Sequence, residues 1–412
     1  MVRHDTPTRL TLLAALALLL SAAPRARAQD RQLLDDVSAG STITTSTVAQ
    51  LSFEGLDVAP DVLARVFRLP GGGWGVSSAM FPGVVQRFDS AGAPAGTLGR
   101  SGHGPGEFGG EVFAVSMRGE LWVVDPRNAR LSIFTTDLRL AEDRRLDVKP
   151  VFLIAPARDG RSVLVSGSAG AEDMYYAVAR VSREPAADVF GEPLGRHPVP
   201  VSQSLVRRRM AAETAGGEVW AVAMTGGSID VLRSRDLSLM AHLQLPGKEM
   251  AQEASWHGDP DERPAPRLVG VTADSAGLLW VTFGVADSTW TPGLDPQASV
   301  EQNFDTRVLA IDPAKRAIVG QVQLDRVCLP VQGHVISCVD EVGQTIRLVA
   351  LRLEQHVRAT QQPSHLAIVL ITAGVVVLIG LVVHRAFFAP RRRASREDVR
   401  PPMMDMQHLN EI

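Results

Sequence analysis

Four short apolar runs in this chain begin with tryptophan: Trp74-Gly75-Val76, Trp122-Val123-Val124, Trp220-Ala221-Val222 and Trp280-Val281-Thr282. Each follows a glycine by one to three positions, at Gly73, Gly119, Gly217 and Gly277. The tryptophans are spaced by 48, 98 and 60 residues, so the second interval is close to twice the first. The run Arg158-Asp159-Gly160-Arg161-Ser162-Val163-Leu164-Val165 falls in that gap and repeats the turn and strand without the indole. A unit of about 40 to 50 residues built from short strands cannot bury both faces of its own sheet, and stacking such units around an axis does so. Counting Trp74, Trp122, the Val163 unit, Trp220, Trp280 and Val335 gives six. The expected fold is therefore all-β, a six-bladed β-propeller over residues 29–354.

The spaces between these runs fit the same scheme. Short alternating stretches are separated by Gly, Pro and Asp, and no amphipathic helical period persists. Phe88-Asp89-Ser90-Ala91-Gly92 and Phe134-Thr135-Thr136-Asp137-Leu138 lie 46 residues apart and are expected to be outer strands entering a turn, as is Val308-Leu309-Ala310-Ile311-Asp312-Pro313. The last unit, Val335 to Cys338 and then Ile346 to Leu353, is one strand short. The Thr-rich segment 42–52 can supply that strand and leave the ring without an open seam.

One unit carries a fuller pattern. Gly99-Arg100-Ser101-Gly102-His103-Gly104-Pro105-Gly106-Glu107-Phe108 leads to Gly119-Glu120-Leu121-Trp122-Val123-Val124-Asp125, then Asn128, Arg130, Ile133 and Phe134. Residues 99–138 resemble an NHL repeat, and the chain is similar to bacterial exported six-bladed propellers of NHL type. The resemblance implies blade architecture for these residues: Phe108 as a plug between sheets, and Asp125 with Arg130 bridging a turn. Propellers related to strictosidine synthase or gluconolactonase hold a metal or acid–base group near the axis, and NHL-type lyases use metal-bound His. No matching ligand set stands in this sequence, so no catalytic residue is carried across.

The two ends read differently from the middle. Arg3, His4 and Arg9 precede an apolar run from Leu10 to Ala23, and Ala26-Arg27-Ala28 is a small-x-small cleavage signal. This is the pattern of a secretory signal peptide over 1–28, with an uncleaved signal anchor as the alternative. No cysteine lies near the cleavage point to accept a lipid. Leu366 to Val383 contains no charged residue, and the expected transmembrane helix runs over 366–388 after a polar linker, 355–365. Arg391, Arg392 and Arg393 follow it, whereas 354–365 holds only Arg358 among Lys and Arg, so the positive-inside rule places the tail 389–412 in the cytoplasm and the propeller outside. Removal of the C-terminal span as a sorting signal is the alternative. The expected location is single-pass in the plasma (inner) membrane, with the lipid bilayer as a partner through one helix.

Net charge is −3 for the chain and −8 for residues 29–384, a balance that repels phosphate backbones and excludes nucleic acid as the expected partner. With 45% hydrophobic residues the chain has ample material for a core. Cys328 and Cys338 are the only cysteines and match no zinc spacing; after export they are placed to form a disulfide, with two buried thiols as the alternative. Nucleophile elbow, zinc-protease and phosphate-loop motifs are all missing, and neither a cofactor nor a catalytic residue is expected.

Two places invite a ligand. The long loop 249–267 carries Trp256, His257, Asp259 and Asp261, which could contact a partner or a cation, or simply be solvated. Arg207, Arg208 and Arg209 open a strand and could hold an anion, or serve as a basic edge that deters strand pairing. The expected function is a binding module for an extracytoplasmic protein, peptide or glycan rather than an enzyme. A metal-dependent hydrolase or lyase at the axis, or a receptor signalling through a cytoplasmic partner, are the alternatives.

Overall fold

Every tryptophan run is the second of four successive antiparallel strands in the computed structural model, which describes residues 32–169, 174–196, 208–247, 250, 261, 263–293, 304–340 and 344–355. Blade 1 comprises Arg65–Arg68, Trp74–Ser77, Val85–Phe88 and Pro94–Leu98; blade 2 comprises Phe113–Met117, Glu120–Asp125, Arg130–Phe134 and Leu140–Arg145. In blade 3, Val148–Pro156, Ser162–Ala169 and Met174–Ser182 are followed by two short outer pieces, Val189–Phe190 and Pro193–Arg196. Blade 4 is Arg209–Glu213, Glu218–Ala223, Ser228–Arg233 and Leu239–Gln244; blade 5 is Arg267–Ala273, Leu279–Ala286, Phe304–Asp312 and Ala317–Leu324. Blade 6 joins Cys328–Gln332, Val335–Val339 and Thr345–Gln355 to Ser41–Ser52 from the other end of the region. Each first strand packs beside the first strand of the next blade, and Cys328–Gln332 packs beside Arg65–Arg68, which closes a ring of six.

Burial explains why the second strands were so visible. Trp74–Ser77, Ser162–Ala169 and Leu279–Ala286 are buried at every residue, because a neighbouring blade covers each face. A strand covered on both sides reads as a solid apolar run instead of an alternating one. Trp122, Trp220 and Trp280 are fully enclosed, and burying a side chain of that size contributes on the order of 1.5–3 kcal/mol. Their indole N–H groups stay satisfied through acids near the preceding turn: Glu120 at 3.2 Å, Glu218 at 2.9 Å and Asp274 at 2.8 Å. Phe108 is completely buried among Phe67, Val85, Val112, Leu121 and Phe134, a plug between blades 1 and 2.

Two expectations need correction. Phe88, Phe134 and Val308 to Asp312 lie on third strands, with a further strand outside each. In blades 1 and 2 those outermost strands, Pro94–Leu98 and Leu140–Arg145, are largely exposed, so no apolar alternation marked them, whereas in blade 5 the outer strand Ala317–Leu324 buries its first half. Nor does Asp125 bridge to Arg130, although the two are opposite in register. Asp125 instead accepts backbone N–H bonds from Gly109, Arg127 and Asn128 at 2.7–3.1 Å, and the Arg130 guanidinium pairs with Asp143 on the outer strand.

The N-terminal segment does more than complete blade 6. Gln32–Leu33 adds a parallel strand to the outer edge of blade 4, and Asp35–Asp36 does the same for blade 5. Leu34, between them, is 3% exposed and packs into the core of those two blades. A short 3-10 turn, Ser38–Gly40, then delivers the chain to Ser41–Ser52. Residues 32–52 thus bind three consecutive blades together. Cys328 and Cys338 face each other across the first two strands of blade 6 and are disulfide-bonded.

Among the described residues no helix is long and apolar enough to cross a membrane. The segments 1–28, 366–388 and 389–412 lie outside the described residues.

The turn between first and second strands carries a left-handed glycine in all six blades, at Gly73, Gly119, Gly160, Gly217, Gly277 and Gly333. Gly73 is the most constrained, since a Cβ there would strike the Phe88 carbonyl. Gly55 shares the positive φ with open space around it. Gly73→Ala should therefore lower unfolding free energy by about 1–3 kcal/mol, and by clearly more than Gly55→Ala, in equilibrium denaturation. Equal costs would show that steric contact at this turn is unimportant.

Candidate functional site

The first strands line the axis, and where they end they enclose a cavity of about 240 Å³. All six blades contribute: Phe67 and Arg68, Ser116, Ile154 to Arg158, Glu213, Val271 to Ser275, and Val331 to Gly333. A pocket with several elements converging on it is the usual place for a propeller to hold a ligand.

The charged side chains at this mouth divide into two sets. Glu213 is buried and fully engaged: it accepts from the Arg158 backbone N–H at 3.0 Å, from Arg180 at 3.3 Å and from the Ser234 hydroxyl. Arg180 in turn donates to the Ser234 carbonyl at 2.8 Å, so the group ties blade 3 to blade 4. Asp274 is committed to its own turn, accepting from Leu278 N–H at 2.9 Å and from the Trp280 indole. Arg68 lies over the Trp74 ring, 3.9 Å from its centroid, and is exposed. Arg158 is exposed as well. Neither guanidinium makes an ion pair among the described residues. Thr272 donates to the Gly333 carbonyl at 2.5 Å, joining blades 5 and 6 at the rim.

At the opposite end of the axis, where the first strands begin, charges are paired in low-dielectric surroundings. Arg65 of blade 1 approaches Glu111, just before blade 2, at 3.5 Å and lies 5.8 Å from the Phe113 ring centroid. Burial lowers the Arg65 pKa from its ordinary value and raises that of Glu111, whose carboxyl is also near Asp61. The arrangement joins two blades through a buried ion pair, with Arg65 Nε and Nη1 buried without a hydrogen-bond partner.

Of the residues singled out in the sequence, Trp256, His257, Asp259 and Arg207 lie outside the described residues. Asp261 is exposed. Arg209 opens the first strand of blade 4 and contacts Asp230 at 3.1 Å; Asp230 also meets the His242 ring at 2.7 Å. The half-buried Arg208 stands near Tyr175, whose phenol burial holds above its ordinary pKa. Among the described residues no group of three or more His, Cys, Asp or Glu side chains is placed to hold a metal ion.

Arg68 and Arg158 were not singled out from the sequence. A charged or polar residue does stand before the turn glycine in Arg68, Arg158, Glu213, Asp274 and Gln332, but its offset varies from one to five positions and so makes no motif.

No protein-family model matches the chain, and no curated protein sequence matches it. Among solved structures the chain is similar to a member of the DUF4221 family from Bacteroides vulgatus, at 10% identity over 77% of this chain and 99% of that one, with a TM-score of 0.51. It is also similar to a Bacteroides fragilis protein described as exported, at 10% identity over 79% of this chain and 99% of that one, TM-score 0.47. Virginiamycin B lyase from Staphylococcus aureus covers 75% of this chain with 100% of its own length, at 11% identity and a TM-score of 0.42. Likeness at this level of identity bears on fold alone.

The Gly-rich segment before Phe108 proves to be a self-contained turn. Glu107 accepts from Gly104 N–H at 2.8 Å and His103 N–H at 3.1 Å and pairs with Arg100, while Asn128 donates to the Gly102 carbonyl at 2.9 Å. The Gly104 N–H, Arg100 and then His103 hold the Glu107 carboxyl below its ordinary pKa. A depressed carboxyl contributes stability above its unfolded pKa, and the contribution disappears as pH falls through the folded value. Glu107→Gln should therefore be less stable than wild type at pH 7, with the gap closing below about pH 4.5 in parallel thermal melts. A gap unchanged into strong acid would contradict this role.

Proposed function

We propose that the protein is a binding module displayed outside the cytoplasm by its C-terminal helix, and that its propeller, of NHL type, takes a ligand at the axial mouth. The observation that carries this reading is the cavity itself, to which all six blades contribute while its acids are spent on structure. The signal-peptide pattern and the Arg cluster after residue 390 support the outward orientation. A ring closed by distant segments is a rigid scaffold, and rigid scaffolds reduce the ordering cost of recognition.

The test uses spheroplasts carrying the full chain, incubated from outside with labelled random hexapeptides and a panel of oligosaccharides. Retention of one class is expected, together with at least tenfold weaker retention by Ser116→Trp, which fills the cavity while thermal stability is preserved. Ligands held equally by the filled variant would remove the axial site. Retention only after the membrane is broken would overturn the outward orientation.

A further inference from the structure

We propose that the axial mouth recognises a carboxylate at the end of an extended peptide, with Arg68 and Arg158 as the charged contacts; the proposal rests on the axial mouth being the binding site. The reasoning begins with charge. Residues 29–384 carry −8, a field that disfavours anions at long range. Screening limits that field to roughly 8 Å at physiological salt, so a ligand inside the mouth responds mainly to the groups around it. There, Arg180 is shared between Glu213 and Asp159, Asp274 is held by its own turn, and the Arg68 and Arg158 guanidiniums make no ion pair among the described residues. The mouth thus presents two guanidiniums whose charge no neighbouring carboxylate takes up among the described residues.

Geometry adds to this. The Arg68 guanidinium carbon lies over the Trp74 ring, 3.9 Å from the centroid, which limits its freedom before any ligand arrives. Arg158 is fixed at its backbone by the bond from its N–H to Glu213. The forked donors of arginine match a carboxylate in two parallel hydrogen bonds, and two such forks at one opening form a receptor for that group. The remaining rim offers the Ser116 and Ser275 hydroxyls and the Gln332 amide for backbone polar groups.

Size and lining decide among ligand classes. A cavity of about 240 Å³ admits the end of a chain and excludes a folded partner. Sugar rings are typically held against exposed aromatic faces, but Phe67, the one aromatic in the lining among the described residues, is 3% exposed and Trp74 is covered by Arg68. A peptide carboxylate fits both constraints, and capture of a chain terminus is a known mode of peptide recognition.

The experiment uses the full chain in lipid nanodiscs and three fluorescent random hexapeptide libraries. One has free C-terminal carboxylates, the second is C-terminally amidated without acidic residues, and the third is amidated with one Asp or Glu per peptide. The free-carboxylate library should bind at least tenfold more tightly than the neutral amidated one. Arg158→Gln and Arg68→Gln should each abolish that preference, while Arg68→Lys retains part of it, with melting curves matching wild type. Equal preference for the third library would assign the contact to side-chain carboxylates and overturn the terminal assignment. Equal binding of all three would overturn the carboxylate inference and leave the axial binding reading standing. No binding of any library, with oligosaccharides retained, would overturn the peptide assignment altogether.

Discussion

A propeller is held in shape by the join between its first and last blades, because every other sheet is made from one continuous stretch of chain. Here the join is the antiparallel register of Ser41–Ser52 against Thr345–Gln355, running from the Ser52–Thr345 pair to the Ser41–Gln355 pair with one irregularity near Leu348. The segments are about 300 residues apart in sequence, so the loop-closure entropy is high, though it grows only slowly with length. A single short strand would recover little of it. This chain adds Gln32–Leu33 and Asp35–Asp36 on two further blades and buries Leu34 between them, so closure is spread over three sheets. The disulfide between Cys328 and Cys338 lies in the same closing blade.

The belt also answers the problem of exposed sheet edges. Short parallel strands cover blades 4 and 5, Leu140–Arg145 is rich in charge, and Pro94–Leu98 contains a proline and a left-handed Gly96. Such devices keep edges from pairing with other chains. Stability thus comes from the perimeter and the stacked blade faces. That arrangement frees the axis, where the first strands need only a few ties such as Arg180–Glu213 and Thr272 to Gly333.

How far the sequence disclosed this follows from where side chains face. Tryptophan-headed strands were legible because they are covered on both sides, and the Val163 unit because its strand is equally buried. In blades 1 and 2 third strands were mistaken for outer ones since the true outer strands are exposed and carry no apolar face to advertise them. Segment 42–52 was legible as the closing strand, but Gln32–Leu33 and Asp35–Asp36 were not: two-residue strands carry no period, and the buried Leu34 stands beside the exposed Leu33 with nothing in the sequence to tell them apart. Asp125 and Arg130 were correctly seen as neighbours across the turn, but backbone N–H groups outcompeted the guanidinium for the carboxylate. At the axis, Arg68 and Arg158 have no local motif. Their meaning arises only when the ring brings the ends of different first strands together.

Hydrogen exchange of the full chain, read by mass spectrometry, tests the closed ring most directly. The amides of 41–52 that donate to 345–355 should exchange as slowly as the amides of 345–355 that donate back to them, because these bonds open together, while the outward-facing amides of this edge strand exchange fast. Fast exchange across 41–52, with 218–223 still protected, would mean that the blades form without the ring being closed and would contradict the account.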